Sequence, residues 1–266
     1  MPISDIQNQV LKLIATNRSP QSYLAGATVI HRKVDTPRFS QDLDFFHDIE
    51  NSVAQCAEKD AATLQNSGYN FSWIMRTPSF YRAVVVVDDK PLKIEWAQDS
   101  VYRFFPIQKD ELCGYRLHDV DAATNKMLAL AGREKIRDFV DIMYLHENYL
   151  SLGTMAWAAC GKDPGFTPEF LLNQISRHVA YSQNDLNNLN LTTPLDIKTL
   201  KQKWLTALSE AEKLIVELPG NEIGCLYLSA QKSPVTPNPG LSDFNELIRH
   251  HGSISGAWPV LSPYLP

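Results

Sequence analysis

The sequence lacks closely spaced cysteines, which argues against two classes of small protein. Its four cysteines are Cys56, Cys113, Cys160 and Cys225, and no two of them form a C-x-x-C pair. Zinc modules and disulfide-rich secreted domains both depend on regular cysteine spacing, so neither class fits. We interpret the four residues as buried free thiols of a protein in a reducing compartment.

Long apolar runs and an excess of positive charge are also missing. The apolar runs are short, as near residues 83–87, whereas a membrane-spanning helix needs about 20 apolar residues. Residues 1–5 lack the basic flank and apolar stretch of a secretory signal, so we expect a cytoplasmic protein without membrane association. The net charge of −5 does not indicate a nucleic-acid binder, which would need a local basic patch.

The pattern of apolar residues predicts an α+β fold. With 266 residues, the chain is long enough for one large or two modest domains. We expect a mixed sheet flanked by helices in a domain of residues 1–112, followed by a mainly helical domain of residues 113–266. The predicted helices cover residues 4–16 (capped by Ser4), 28–33, 52–66, 120–131, 135–149, 169–181, 195–218 and 244–251. The predicted strands cover residues 22–25, 39–46, 69–76, 80–87, 91–97 and 225–228.

Two aspartates in residues 39–46 (FSQDLDFF) are the first candidates for chemistry. Side chains alternate along a strand, so Asp42 and Asp44 share one face. Two carboxylates on one strand face repel each other, and a divalent cation offsets that cost. Mg²⁺ (or Mn²⁺) commonly binds one or two carboxylates together with substrate phosphates. The alternative interpretation is a solvated strand face or a turn after Phe39.

A third carboxylate follows in residues 92–96 (LKIEW). Alternation places Leu92, Ile94 and Trp96 on one face and Lys93 with Glu95 on the other. If this strand runs near the first, Glu95 completes a metal-binding set with the two aspartates, and such a set can hold two metal ions. An ordinary half-exposed strand would show the same alternation.

The turn at residues 24–28 (LAGAT) is a candidate phosphate site. Gly26 allows a ligand to approach the backbone closely, and the next helix begins with free N–H groups. Thr28 adds a hydroxyl. Many turns between a strand and a helix look alike, so this feature is informative mainly through its position sixteen residues before Asp42.

The helical half holds charged residues in a regular spacing. Lys126 and Arg133 are seven residues apart and share one helix face, and Asp138 and Asp141 are three apart on the next helix. A lysine facing the carboxylate cleft could neutralise nucleotide phosphates. The alternative is a pair of surface helices joined by salt bridges.

Four ordered motifs together resemble the nucleotidyltransferase superfamily. L-A-G-A-T is followed by R-F-S-Q-D-L-D-F-F, by K-I-E, and by an N-K-x-x-A-L-x-x-R-x-K-x-R-D-x-x-D pattern at residues 125–141. More narrowly, they resemble the AbiEii/AbiGii-type toxin family of type IV toxin–antitoxin systems, over residues 20–150. This family usually has a second glycine or a serine at the position of Ala27. An alanine fits there only if its φ is negative.

The resemblance implies a polymerase-β-like core and assigns roles to residues. Asp42, Asp44 and Glu95 would bind the metal, and the nucleotide would be held by Gly26, Ala27, Thr28, Arg38, Ser40, Lys126 and Arg133. Lys126 would be the phosphate-binding lysine. Asp138 or Asp141 would complete or orient the site, and the helical domain would bring these residues to the cleft. The choice between the two aspartates stays open.

The function that this resemblance implies is transfer of a nucleotidyl group from an NTP to an acceptor hydroxyl. The implied acceptor is the 3′ end of a tRNA, and the implied partner is a cognate antitoxin. Two alternatives stay open: transfer to a small molecule of the antibiotic type, and an inactive relative that binds a nucleotide or a partner protein.

Overall fold

The computed structural model describes residues 3–32 and 35–259, which form two compact units. The first unit comprises the described residues of Met1–Val101, Ile107–Ala122 and Gln183–Leu195. The second comprises those of Tyr102–Pro106, Ala123–Ser182 and Asp196–Pro266. The predicted α+β class is confirmed, with a mixed sheet first and mainly helices afterwards. The division at residue 112 stays a prediction.

The elements of the first unit follow one another with short connections. The helices are α1 (Asp5–Ile14), α2 (Gly26–Ile30) and α3 (Glu50–Asn66). The strands are β1 (Ser22–Ala25), β2 (Asp42–His47), β3 (Asn70–Thr77), β4 (Phe80–Val87) and β5 (Lys90–Gln98). The chain continues through β6 (Tyr102–Arg103), which belongs to the second unit, and then through β7 (Gln108–Asp110) and β8 (Gly114–Arg116).

Seven of these strands form one mixed sheet in the order β3-β4-β5-β2-β1-β8-β7. β2 pairs in parallel with β5 and antiparallel with β1, so it lies at the centre of the sheet. Its burial alternates strictly, with Leu43, Phe45 and His47 buried and the residues between them half-buried. The centre of the sheet therefore has one packed face and one open face.

The packed face is covered by α3. On β5, Leu92, Ile94 and Trp96 are buried in the same alternation. The indole nitrogen of Trp96 donates a hydrogen bond of 2.8 Å to Asp60 of α3, which also holds the buried Arg18. The open face therefore carries Asp42, Asp44 and Glu95.

Local signals set several boundaries where the sequence predicts them. Ser4 caps α1 and forms a capping box with Gln7. α3 ends at Asn66, and Gly68 continues the chain with a φ of 85°, as expected of a glycine after a helix. Asp88 and Asp89 both adopt positive φ in the turn between β4 and β5.

Two predicted boundaries around the central strand are wrong. The strand begins at Asp42 rather than at residue 39, because Arg38 forms an isolated bridge with Leu191 and Phe39 N–H donates to the Asn190 carbonyl. The sequence predicts the helix before this strand over residues 28–33, but α2 covers Gly26–Ile30. Lys33 of that prediction lies outside the described residues.

The second unit is mainly helical. Its helices are α4 (Asp119–Gly132), α5 (Ile136–Asn148), α6 (Leu152–Ala159), α7 (Pro168–Ser176) and α9 (Ile197–Glu217). The first residues of α4 belong to the first unit, as does α8 (Gln183–Asn187), which lies between α7 and α9 in the chain. α6, which was not predicted, is buried at every residue and packs against α9, where Gly153 lies against Ala211. In the part of the chain that is described, no helix is both long and apolar enough to cross a membrane.

The prediction of a helix over residues 244–251 is wrong. A short 3₁₀ turn at Phe244–Glu246 is followed by a strand, β10 (Ile248–His250), which pairs with β9 (Leu226–Leu228). A last strand, β11 (Ser253–Ile254), pairs with β6. Pairing with segments far away in sequence overrides the local helical pattern here.

Candidate active site

The parallel register of β2 and β5 brings the predicted carboxylates together. Asp44 stands opposite Glu95, and Asp42 stands opposite Lys93. Neighbouring residues on one sheet face lie within about 5 Å of each other at the Cβ atoms. The three acidic side chains predicted as metal ligands therefore occupy adjacent positions on the open face of the sheet.

Two basic side chains, Lys93 and Arg82, are paired with these acids. Lys93 Nζ lies 2.9 Å from Asp42 Oδ2 and 3.0 Å from Glu95 Oε1. Arg82 of β4 pairs with Glu95 in the sheet, and its Nε donates to Glu95 Oε1 over 2.8 Å. Asp42, Lys93, Glu95 and Arg82 thus form a continuous chain of ion pairs across three strands.

The basic neighbours change the titration of this cluster. Burial alone would raise the pKa of Glu95, but the hydrogen bonds and charges of Lys93 and Arg82 outweigh it and lower that pKa below its ordinary value. Burial alone would lower the pKa of Lys93, but Asp42 and Glu95 raise it. Both groups are therefore charged at neutral pH.

The donor set fits a divalent ion that brings ligands of its own. Among residues 3–32 and 35–259, no group of three His, Cys, Asp or Glu side chains is arranged to hold a metal ion. Mg²⁺, however, commonly takes one or two carboxylates and completes its shell with water and substrate phosphate. Asp42 and Asp44 supply such a pair, and the ammonium of Lys93 shows that a cation is stable beside Asp42.

The glycine of the predicted phosphate turn lies directly against one aspartate. Ala25 pairs with Asp44 in the sheet, and Gly26 follows with a φ of 65°. A Cβ atom on Gly26 would lie 2.1 Å from Asp44 Oδ2. Ala27 is not among the residues with positive φ, so its methyl group is compatible with the turn.

The other residues predicted for nucleotide binding in the first unit are buried. Thr28 Oγ1 lies 2.8 Å from the carbonyl oxygen of Asp42 and 2.9 Å from Ser40 Oγ, which is itself within 3.1 Å of that carbonyl. Arg38 is 3% exposed and donates to the Phe39 carbonyl. The side chains of Thr28, Ser40 and Arg38 thus stabilise the backbone at and just before the start of β2. This backbone positions Asp42.

The residues predicted in the helical half form a cluster within the second unit. Lys126 Nζ lies 2.7 Å from Asp138 Oδ1 and 3.1 Å from Asp141 Oδ2, and both carboxylates are fully buried. Arg133 Nε reaches Asp138 Oδ2 over 2.7 Å. Burial would raise the pKa of Asp138, but Lys126 and Arg133 lower it. Both aspartates therefore contact the predicted phosphate-binding lysine.

Sequence reasoning assigned no role to Lys93 or Arg82. The alternation of side chains in K-I-E puts Lys93 on the same strand face as Glu95, so this pattern is a signal that could have placed Lys93 in the site. Arg82 belongs to another strand, and only the register between β4 and β5 places it beside Glu95.

Comparison with known proteins adds a family and a fold. The family model described as "Nucleotidyl transferase AbiEii toxin, Type IV TA system" matches residues 12–214. No curated protein matches the chain. JHP933 from Helicobacter pylori is 19% identical at a TM-score of 0.51, over 81% of this chain and 95% of its own. MenT4, a nucleotidyltransferase toxin from Mycobacterium tuberculosis H37Rv, is 14% identical at a TM-score of 0.54, over 81% of this chain and 83% of its own. At such identities, these two likenesses show a shared fold.

Proposed function

Because this chain belongs to the AbiEii family of nucleotidyl transferase toxins, it is a nucleotidyltransferase, and we propose that its reaction takes place at Asp42 and Asp44 with a divalent ion, Mg²⁺ or Mn²⁺. The substrate would be an NTP. A nucleotidyl group would pass to an acceptor hydroxyl, and pyrophosphate would leave. The ion, when bound, would activate the acceptor hydroxyl and stabilise the charge on the transferred phosphorus.

The observation that carries this proposal is the placement of Asp42 and Asp44 on the open face of the central strand. Both side chains are half-buried, and Glu95 stands beside Asp44 in register. Like charges at neighbouring positions of a sheet are unfavourable unless cations accompany them. Lys93 and Arg82 offset part of this cost, and Asp42 with Asp44 still supplies the carboxylate pair that Mg²⁺ takes together with substrate phosphates.

The remaining predicted residues receive two kinds of role. The backbone of Gly26, Ala27 and Thr28 would face the triphosphate, since Gly26 lies against Asp44. Arg38 and Ser40 would support this turn from inside. Lys126 would neutralise phosphate, with Arg133 beside it, and Asp138 and Asp141 would hold that lysine in place. Glu95 would act as a third ligand or would orient its basic neighbours.

The acceptor that we propose is the 3′ end of a tRNA, which would make the protein a growth-inhibiting toxin with a cognate antitoxin as its partner. The family description as a type IV toxin supports the toxin role and the antitoxin partner of this proposal. The net charge of −5 requires the contact surface for RNA to be local.

The test is incubation of the full chain with each of four α-³²P-labelled NTPs, Mg²⁺ and total tRNA. Asp42→Ala/Asp44→Ala serves as the inactive control. We expect label in tRNA with the wild type alone, because the control variant loses both carboxylates of the metal site.

Two other outcomes would redirect the proposal. Label that appears on an added aminoglycoside, but not on RNA, would favour the small-molecule acceptor. Equal labelling by the wild type and the double variant would remove Asp42 and Asp44 from the mechanism.

A further inference from the structure

Lys93 places a built-in cation at one of the two proposed metal-binding aspartates. Its ammonium contacts Asp42 at 2.9 Å and Glu95 at 3.0 Å, and its side chain is 33% exposed. The lysine is therefore anchored by its acidic partners rather than by tight packing, and it can turn towards solvent when a stronger partner appears.

Lys93 is not needed to neutralise the charge of Glu95. Arg82 already donates to the same oxygen of Glu95 over 2.8 Å. Within the cluster of Asp42, Asp44, Glu95, Lys93 and Arg82, three acids stand against two bases, so the net charge of these five side chains is small. A bare divalent ion thus meets a site whose charge has largely been cancelled in advance.

A nucleotide changes this balance in a way that a free ion does not. A bare ion at Asp42 must displace Lys93 and is repelled by its charge. A metal–nucleotide complex carries phosphates, which offer the displaced ammonium a new anionic partner. The displaced lysine then gains an interaction rather than losing one.

We propose that Lys93 is an internal counter-ion of Asp42 that disfavours binding of a free divalent ion and favours the metal–nucleotide complex. This inference rests on the proposed function, because it requires a metal site at Asp42 and Asp44. Lys93 is here a positioning residue that controls access to that site through Asp42.

The experiment measures Mn²⁺ binding to the full chain by electron paramagnetic resonance of the free ion, without nucleotide. Lys93→Met is expected to bind Mn²⁺ about tenfold more tightly than the wild type or better, since the competing charge is gone. Lys93→Arg keeps the charge and should stay near the wild type. Lys90→Met is the matched control, because Lys90 is an exposed lysine of the same strand on the opposite face.

The same titrations are repeated with a non-hydrolysable NTP analogue. Here Lys93→Met should gain nothing or lose affinity relative to the wild type, because the phosphates lose a partner. If Lys93→Met does not fold, which thermal unfolding would reveal, Lys93→Gln removes the same charge with a polar side chain.

The outcomes separate this inference from the proposed function. Equal affinity of the wild type and Lys93→Met for free Mn²⁺, with normal binding of Mn²⁺ and analogue, would overturn the role of Lys93 and leave the metal site standing. Absence of Mn²⁺ binding in every variant, with and without the analogue, would overturn both.

Discussion

Gly26 and Asp44 are in such close contact that no side chain fits between them. The space for a Cβ atom on Gly26 is occupied by the Asp44 carboxylate, whose Oδ2 would lie 2.1 Å away. Gly26 also has a φ of 65°, a conformation that residues with side chains rarely adopt. The position of the proposed metal ligand Asp44 therefore depends on the absence of a side chain in the proposed phosphate turn.

Substitution of this glycine should abolish activity beyond any effect on stability. Gly26→Ala pays about 1–2 kcal/mol for its positive φ and also displaces Asp44. Gly68→Ala is the matched control, since Gly68 has a φ of 85° and no atom within 4 Å of its added methyl group. We expect Gly26→Ala to lose at least as much free energy of unfolding in urea as Gly68→Ala, because it adds a clash with Asp44 to the cost of positive φ, and only Gly26→Ala to lose nucleotidyl transfer. Equal loss of transfer in the two variants would contradict this account.

The charge of Asp44 should be essential even when its shape is kept. Asp44→Asn removes one carboxylate of the proposed metal site, and we expect transfer to fall by about 10³-fold. Asp48→Asn, one residue after β2, serves as the control, because its bond to the Tyr23 hydroxyl survives the change. Single-turnover rates with labelled NTP measure the difference. Wild-type turnover by Asp44→Asn would rule out the mechanism.

Loss of Lys126 should affect stability and activity by separate routes. Lys126→Met leaves Asp138 and Asp141 buried without their shared cation, so the free energy of unfolding should fall by roughly 3–5 kcal/mol. Adding Asp141→Asn should restore part of this stability, because one buried charge is removed. Transfer should stay low in the double variant if Lys126 binds phosphate.

The control for Lys126 is the exposed Lys135, whose substitution by Met should change neither quantity. Recovery of both stability and transfer in Lys126→Met/Asp141→Asn would assign Lys126 a structural role alone.

His47 should make the protein sensitive to mild acid. Burial, followed by the charge of Arg18, lowers the pKa of His47 to about 3, and neither ring nitrogen has a hydrogen-bond partner among the described residues. Below about pH 6.5 the unfolded chain takes up a proton at this position and the folded chain does not, so stability falls as pH decreases towards 3. The expected loss from this group is roughly 1.4 kcal/mol per pH unit between those values.

Urea unfolding of the wild type and His47→Phe between pH 6 and pH 4 measures this effect. The variant should lose less stability than the wild type as pH falls. His251→Phe, which removes an exposed histidine, is the control and should follow the wild type. Parallel pH profiles of the wild type and His47→Phe would show that His47 is not the acid-sensitive group.

Most local features of the fold follow from short-range rules. Ser4 before an amphipathic segment predicts a capped helix, and the pair Asp88–Asp89 between apolar strands predicts a turn. Both are confirmed, because capping and turn formation involve only neighbouring residues. The prediction of a helix over residues 244–251 is wrong, because apolar spacing carries no information about a strand partner far away in the sequence.

His250 shows the same limit for a single side chain. The residues near it in the sequence indicate no partner for its side chain. It is 7% exposed, and its Nε2 lies 2.8 Å from the carbonyl oxygen of Phe104. That contact joins residues 146 positions apart, for which a single sequence carries no local signal.

By itself, the sequence determined the family, the α+β class and the alternation that puts Asp42 and Asp44 on one strand face, since a period of two is a property of any extended chain. Only the tertiary structure decided which side chains meet them. The parallel pairing of β2 with β5 places Glu95 beside Asp44 and the Lys93 ammonium between two acids. Strand pairing is a choice among distant segments, and it depends on the packing of the whole sheet rather than on any local pattern.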